Sequence, residues 1–151
     1  MEPGITAVDL GCGPGFFTLP LAEMIGERGS VVAVDLQAAM LEKVRTRAEL
    51  KGLSARIRLH QCAADSLGLV GEQAAFALAF WMVHEVPDAA RFLAEVAGVL
   101  QERGCLLLVE PKGHVGAQAF ALTVDLAVAA GLSPLASPRV AFSRAVLLQR
   151  R

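Results

Sequence analysis

The residues best placed to do chemistry gather near the start of the chain. The stretch Val8-Asp9-Leu10-Gly11-Cys12-Gly13-Pro14-Gly15-Phe16 sets glycine at alternate positions directly after an apolar run. Glycine tolerates positive φ and lets another group approach the backbone closely. Asp35 ends the run 31–35, twenty residues beyond Gly15. An acid at the end of a second strand can accept hydrogen bonds from both hydroxyls of a ribose. Loop and acid together point to a nucleoside-containing ligand; either alone is weak evidence. A dinucleotide fingerprint, G-x-G-x-x-G, needs its third glycine where Phe16 stands. The glycine comes one residue early, so pyrophosphate binding is not favoured. Asp9 also disfavours a negative ligand group and suits a cationic one, such as an α-ammonium.

A second set of candidates lies further on. His84 and Glu85 follow the apolar run 74–83, and Glu110 ends the run 105–110. A histidine there can serve as a general base near neutral pH, or equally hydrogen-bond the backbone of its own loop. Glu110 is divided in the same way between the rim of a site and a structural hydrogen bond. His60 and His114 are assigned no role. Cys12, Cys62 and Cys105 are widely spaced and form no CxxC or Cys/His cluster. They read as reduced, packed thiols of a cytoplasmic protein, with no structural metal expected.

These residues need a frame that brings them to one edge. Residues 5–10 read as a first strand. A helix with apolar Phe17, Leu21, Met24 and Ile25 follows the glycine loop to about Gly26. Pro20 should kink that helix or delay its regular start. Residues 31–35 form a second strand. Met40, Leu41, Val44 and Ala48 then recur with helical period until Gly52 stops the helix. Residues 56–61 alternate as a third strand, and 75–81 form the fourth. Asp88 is placed to cap the next helix, whose inner face carries Phe92, Leu93, Val96, Val99 and Leu100. Gly104 ends that connection, before a fifth strand at 105–110. A helix near 116–130 stops at Gly131, and 133–141 and 144–150 form a terminal hairpin. Strands alternating with helices predict an α/β fold: a doubly wound, mostly parallel sheet of about seven strands with a C-terminal antiparallel hairpin. Ligands of such a sheet belong at the carboxyl ends of its strands, near the switch point beside the first. With no repeat or linker, residues 1–151 read as a single domain.

Composition narrows the classes. A net charge of −1 offers no bulk attraction to nucleic acid, and no polybasic segment suggests a membrane surface. The apolar run 74–83 is far short of the roughly 20 residues of a membrane span. The start "MEPGITAV" lacks the features of a signal peptide. Hydrophobic residues make up 54% and charged residues 19% of the chain, against roughly 45–50% and about 25% in ordinary soluble domains. Some of that apolar surface is expected to meet another segment or another subunit, a homodimer being one option.

"VDLGCGPG" followed by "VVAVD" resembles the cofactor site of class I S-adenosylmethionine-dependent methyltransferases. "FALAFWMVHEVPD" is similar to that family's fourth strand and the loop after it. "VAGVLQERGCLLLVEPKG" is similar to its next helix and fifth strand. The likeness extends over most of the chain. It is nearest to the small-molecule branch that includes ubiquinone and menaquinone biosynthesis methyltransferases. The resemblance implies a Rossmann-like fold and S-adenosyl-L-methionine as cofactor. By that resemblance Gly11, Gly13 and Gly15 would line the methionine part, and Asp9 would approach its ammonium directly or through water. Asp35 would hold the ribose, Leu36 would lie against the adenine, and Phe80 beneath the cofactor. The adenine loop departs from the pattern. The family often has an acid followed by alanine there, to read the adenine amino group, whereas this chain has Cys62-Ala63-Ala64-Asp65. Aligned on Leu67, Ala63 takes the acid's place and Asp65 comes two residues late. Adenine contact then rests on backbone at Ala63 and Ala64, or on Asp65 after a local shift.

The implied reaction is in-line methyl transfer from the cofactor sulfonium to a small-molecule acceptor. The protein mainly aligns the acceptor and excludes water. A base, with His84 and Glu85 as candidates, is needed only if the acceptor must lose a proton. Two other readings stay open: a regulatory module that binds the cofactor without turnover, and a nucleotide-dependent oxidoreductase, which the shifted glycine counts against. Family members usually carry helices before the first strand, and here "EPG" resembles the turn that joins such a leader to the sheet. The expectation is a longer natural protein, an upstream start, or a lid supplied by a partner.

Overall fold

The structure, a computed structural model, describes residues 4–151. The expected turn at Glu2-Pro3-Gly4 falls mostly outside them. The elements run β1 (Thr6–Leu10), α1 (Thr18–Ile25), β2 (Ser30–Asp35), α2 (Ala38–Lys51), β3 (Ile57–Gln61), β4 (Ala74–Phe80), α3 (Ala89–Val99), β5 (Leu100–Pro111), α4 (Ala117–Ala129), β6 (Leu132–Ala136) and β7 (Ser143–Arg150). They build one seven-stranded sheet in the order β3-β2-β1-β4-β5-β7-β6. The first five strands are parallel; β7 runs antiparallel between β5 and β6.

Alternating side chains explain the two cores. Ala7, Val31, Ala33 and Leu78 face one side, where Leu19, Ala22 and Ile25 of α1 and Leu41, Val44 and Ala48 of α2 cover them. Val8, Val32, Val34, Ala77, Leu106, Val146 and Leu148 face the other, against Phe92, Leu93 and Val96 of α3. A sheet covered on both faces needs apolar residues at every strand position. Much of the chain's high apolar content therefore goes into the core. Each fully buried Val, Leu or Phe side chain contributes about 1.5–3 kcal/mol.

Local chemistry sets the boundaries. Asp88 caps α3, its Oδ1 accepting from the Arg91 amide at 3.0 Å. Gly52 closes α2 at φ 67, a left-handed position that glycine occupies without strain. α1 begins at Thr18, so Pro20 lies in its first turn, where an amide has no intrahelical acceptor to lose.

Two boundaries differ from expectation by more than a residue or so. β5 starts at Leu100, not Cys105, because Leu100 already pairs with Ala74. Residues 101–104 bulge before pairing resumes at Phe76 with Cys105. A Cβ at Gly104 would lie 2.8 Å from the Ala74 carbonyl oxygen, so the bulge needs glycine. β6 ends at Ala136, not near residue 141. Its register on β7 slips between Pro134 and Ala136. Pro138 beyond it has no amide to donate.

Candidate active site

β1 and β4 are neighbours, yet the chain leaves them for opposite faces of the sheet. That divergence opens a crevice at their carboxyl ends. A cavity of about 680 Å³ occupies it. Gly11 and Gly13 line it from the loop after β1, and Asp35, Leu36, Gln37 and Met40 from the β2–α2 connection. Residues 62–67 close one side. Phe80, Trp81, Met82 and Glu85 line another, with Arg91, Phe92 and Glu95 of α3 behind.

Asp35 organises the β1–β2 half. Its Oδ2 accepts from the Gly13 amide at 2.9 Å and its Oδ1 from the Gln37 amide at 2.8 Å. A carboxylate has about four acceptor positions, so two remain for a ligand. The glycines have different tasks. Gly13, at φ +52, has nothing within 4 Å of where a Cβ would stand. Gly11, at φ +65, lies under Met82, whose Cβ would be 3.1 Å from an added Cβ. Gly15 is not part of the cavity wall. At φ +87 it packs against Leu19 and Val44, with the Leu19 Cδ1 only 2.8 Å from a built Cβ.

Asp9 is also absent from the wall. It is buried beneath the loop, accepting from the Thr18 hydroxyl at 2.6 Å. Burial pushes its carboxyl up to about 6, and nearby Asp35 adds to this, while the Thr18 bond works in the opposite direction. Burial likewise pushes the Cys12 thiol well up, which makes it a poor nucleophile.

The loop at 62–67 is held from α3. Glu95 accepts from the Leu67 amide at 2.7 Å and the Ser66 hydroxyl at 3.1 Å. Ala63, Ala64 and Asp65 all line the cavity. Asp65 does so from the rim, 77% exposed and 4.0 Å from Arg91 Nη1.

The β4–β5 half is assembled from side chains. Trp81 adopts φ 58, unusual for a bulky residue. Its amide donates to the Val109 carbonyl at 2.8 Å, and its indole N–H to Ser143 Oγ at 2.9 Å. The ring rests against Phe80, centroids 5.3 Å apart, and Phe80 rests on Phe17 at 4.4 Å. Behind Trp81, Glu110 is buried. It accepts from the Val83 amide at 2.9 Å through Oε1 and pairs with His84 Nδ1 through Oε2. Glu85 lines the cavity; His84 stands behind it, 3.9 Å away.

Thus Gly11, Gly13, Asp35, Leu36, Ala63, Ala64, Asp65, Phe80 and Glu85 meet around one cavity, and Asp9, Gly15 and His84 support its walls. Sequence reasoning missed Thr18, Gln37, Met40, Trp81 and Glu95. Only Glu95 carried a signal: it is an acid three residues after Phe92, on the otherwise apolar face of α3.

Comparisons with known proteins give the family and the fold. The model of a family described as "Methyltransferase domain" matches residues 7–104. The chain is 30% identical over 117 residues to aklanonic acid methyltransferase DauC of a Streptomyces species, covering 78% of this chain and 53% of that protein. It is 29% identical over 109 residues to the ubiquinone/menaquinone biosynthesis C-methyltransferase UbiE of Shewanella frigidimarina, covering 72% and 43%. The chain thus spans about half, or less, of the length of these curated relatives. A SAM-dependent methyltransferase from Aquifex aeolicus superposes with a TM-score of 0.87 at 21% identity, covering 99% of this chain and 84% of that one. The [4+2]-cyclase SpnF superposes at 0.84 with 15% identity, covering 99% and 76%. The chain belongs to the methyltransferase-domain family and has the fold of the S-adenosylmethionine-dependent methyltransferases.

Proposed function

We propose that this domain transfers a methyl group from S-adenosylmethionine to a small-molecule acceptor. The observation that carries this is Asp35. Its carboxylate is fixed by the Gly13 and Gln37 amides at the edge of a cavity of about 680 Å³, with acceptor positions to spare. The cavity fits such a cofactor in a second respect, because the space above Gly13 that a side chain would fill is open. The names of the curated relatives favour a small-molecule acceptor. The net charge of −1 disfavours nucleic acid. The free thiols of Cys12, Cys62 and Cys105 favour a reducing cytoplasm. No described helix is long and apolar enough to cross a membrane.

Asp35 would accept from both ribose hydroxyls, with Leu36 against the adenine and Phe80 beneath. Backbone at Ala63 and Ala64, or Asp65 from the rim, would meet the adenine amino group. Gly11 and Gly13 would let the methionine part approach their backbone. Asp9 would act on the ammonium from below, and Gly15 would keep the loop seated on α1 and α2. When bound, the cofactor supplies a methyl group made electrophilic by its sulfonium. The protein's own task is to align the acceptor and exclude water, with Trp81 and Met82 forming the wall on that side.

Titration calorimetry with S-adenosylmethionine and with its demethylated product tests the reading. Micromolar binding of both, followed by cofactor-dependent labelling of a compound in an acceptor panel, is expected. Absence of heat for both compounds would dismiss it.

A further inference from the structure

We propose that Glu110 is a positioning residue that holds His84 as a proton acceptor beside the cavity, so that the acceptor is a molecule that loses an O–H or N–H proton as it is methylated. This rests on the methyl transfer proposed above. Glu110 is 1% exposed and makes no bond to Lys or Arg; its partners are the Val83 amide and His84 Nδ1. Burying a carboxylate is costly, and a neutral glutamine would also accept from Val83. The charge therefore finds its use at the imidazole. A carboxylate only accepts, so Nδ1 carries a proton, and in the neutral imidazole the Nε2 lone pair is then free. Nε2 makes no hydrogen bond among the described residues. The charged and titratable groups around it are Glu85 Oε1 at 3.9 Å and the ring of His114, whose centroid lies 5.8 Å from that of His84. Glu85 itself lines the cavity, which puts Nε2 one side chain from the rim.

The step balances simply. The acceptor's O–H or N–H bond breaks and its proton reaches Nε2 through one bridging water at the rim, since His84 itself does not line the cavity. The electron pair left on the acceptor forms the bond to the methyl carbon. The methyl–sulfur bond breaks with its pair remaining on sulfur. Glu110 offsets the charge then carried by His84, and water later takes the proton.

The first test needs no variant. Long-range proton–nitrogen NMR correlations on the full chain, assigned with His60→Gln and His114→Gln, should give His84 as the Nδ1–H tautomer. Glu110→Gln keeps the Val83 acceptor but offers an amide N–H to Nδ1, so it should reverse the tautomer. Carbethoxylation of His84 by diethyl pyrocarbonate, mapped by mass spectrometry, should slow at least about tenfold in that variant, in line with loss of a free basic nitrogen. His60 and His114 should react unchanged. With phenol as probe acceptor kcat should fall about 10²-fold, a usual value for a lost general base. With para-nitrophenol, assayed near pH 8 where it is mostly ionised, it should fall less than about threefold. An Nε2–H tautomer in the wild type, unchanged carbethoxylation, or equal losses on both phenols would overturn the proposal. Failure of the wild type to bind S-adenosylmethionine would instead sink the methyl-transfer reading and leave the tautomer result standing.

Discussion

The two halves of the cleft are built in opposite ways. Around β1 and β2 the fixed points are backbone amides: Gly13 and Gln37 hold Asp35 from 22 and 2 residues away. Around β4 and β5 the fixed points are side chains on separate strands. Trp81 reaches Ser143 across 62 residues, and Glu110 reaches His84 across 26. Backbone can hold one ligand in the same way whatever the neighbouring side chains are. Side-chain walls change with each substitution. A constant cofactor suits the first half and an acceptor that differs between relatives suits the second.

The largest effect that would test this contrast falls on a glycine. Gly15→Ala forces a left-handed φ on alanine and a methyl group against Leu19 and Val44. It should cost about 3 kcal/mol, the sum of backbone strain and overpacking, and lower the urea midpoint accordingly. Gly13→Ala meets open space and should cost only about 1 kcal/mol of stability, while weakening S-adenosylmethionine binding more than Gly15→Ala does. Equal behaviour of the two variants would erase the division of labour among the glycines. Asp35→Ala comes next. It deprives two amides and the ligand of their acceptor, so Kd should rise about 100-fold, close to 3 kcal/mol for two charge-assisted bonds. A rise of less than about threefold would break the backbone-built half of the comparison.

An effect smaller than those of Gly15→Ala and Asp35→Ala is linked to pH. The Asp9 carboxyl is raised from 3.8 to about 6 by burial. Between these values the folded protein binds the proton better than the unfolded chain, so this group's stabilising contribution is lost as pH rises through that window. Asp9→Asn keeps an acceptor for Thr18 and has no charge to desolvate. It should stabilise the protein by about 2 kcal/mol near pH 8 and by nothing near pH 4, read by urea unfolding at the two pH values. A variant less stable than wild type near pH 8 would show that the buried charge is well compensated.

The same contrast explains what was legible in the sequence. Gly11, Gly13 and Asp35 announced themselves because glycine and acid types carry local backbone meaning, and strand–helix alternation carried the sheet. Pro20 was ambiguous because a proline in a first turn and one in a helix interior differ only by where the helix begins. Gly104 looked like a terminator, since its need for glycine comes from the Ala74 carbonyl oxygen on another strand. Gly15 and Asp9 carried the right residue types, yet what they touch, Val44 and Thr18, depends on packing. Trp81 read as one more apolar strand residue. Its positive φ has no signature in the residue type, and its bond to Ser143 exists only once β7 is in place.

That dependence on β7 has a consequence for how the chain comes together. β6 is made before β7, yet β7 is the strand that joins it to the sheet. A nascent chain that has emerged as far as β6 therefore carries a strand with nowhere to dock and an open edge on β5, a surface prone to wrong pairing. By then every element around the Gly13–Asp35 bond has been made. The side proposed to hold the cofactor can mature while the polypeptide is still growing, and the wall proposed to meet the acceptor is the last part of the molecule to close.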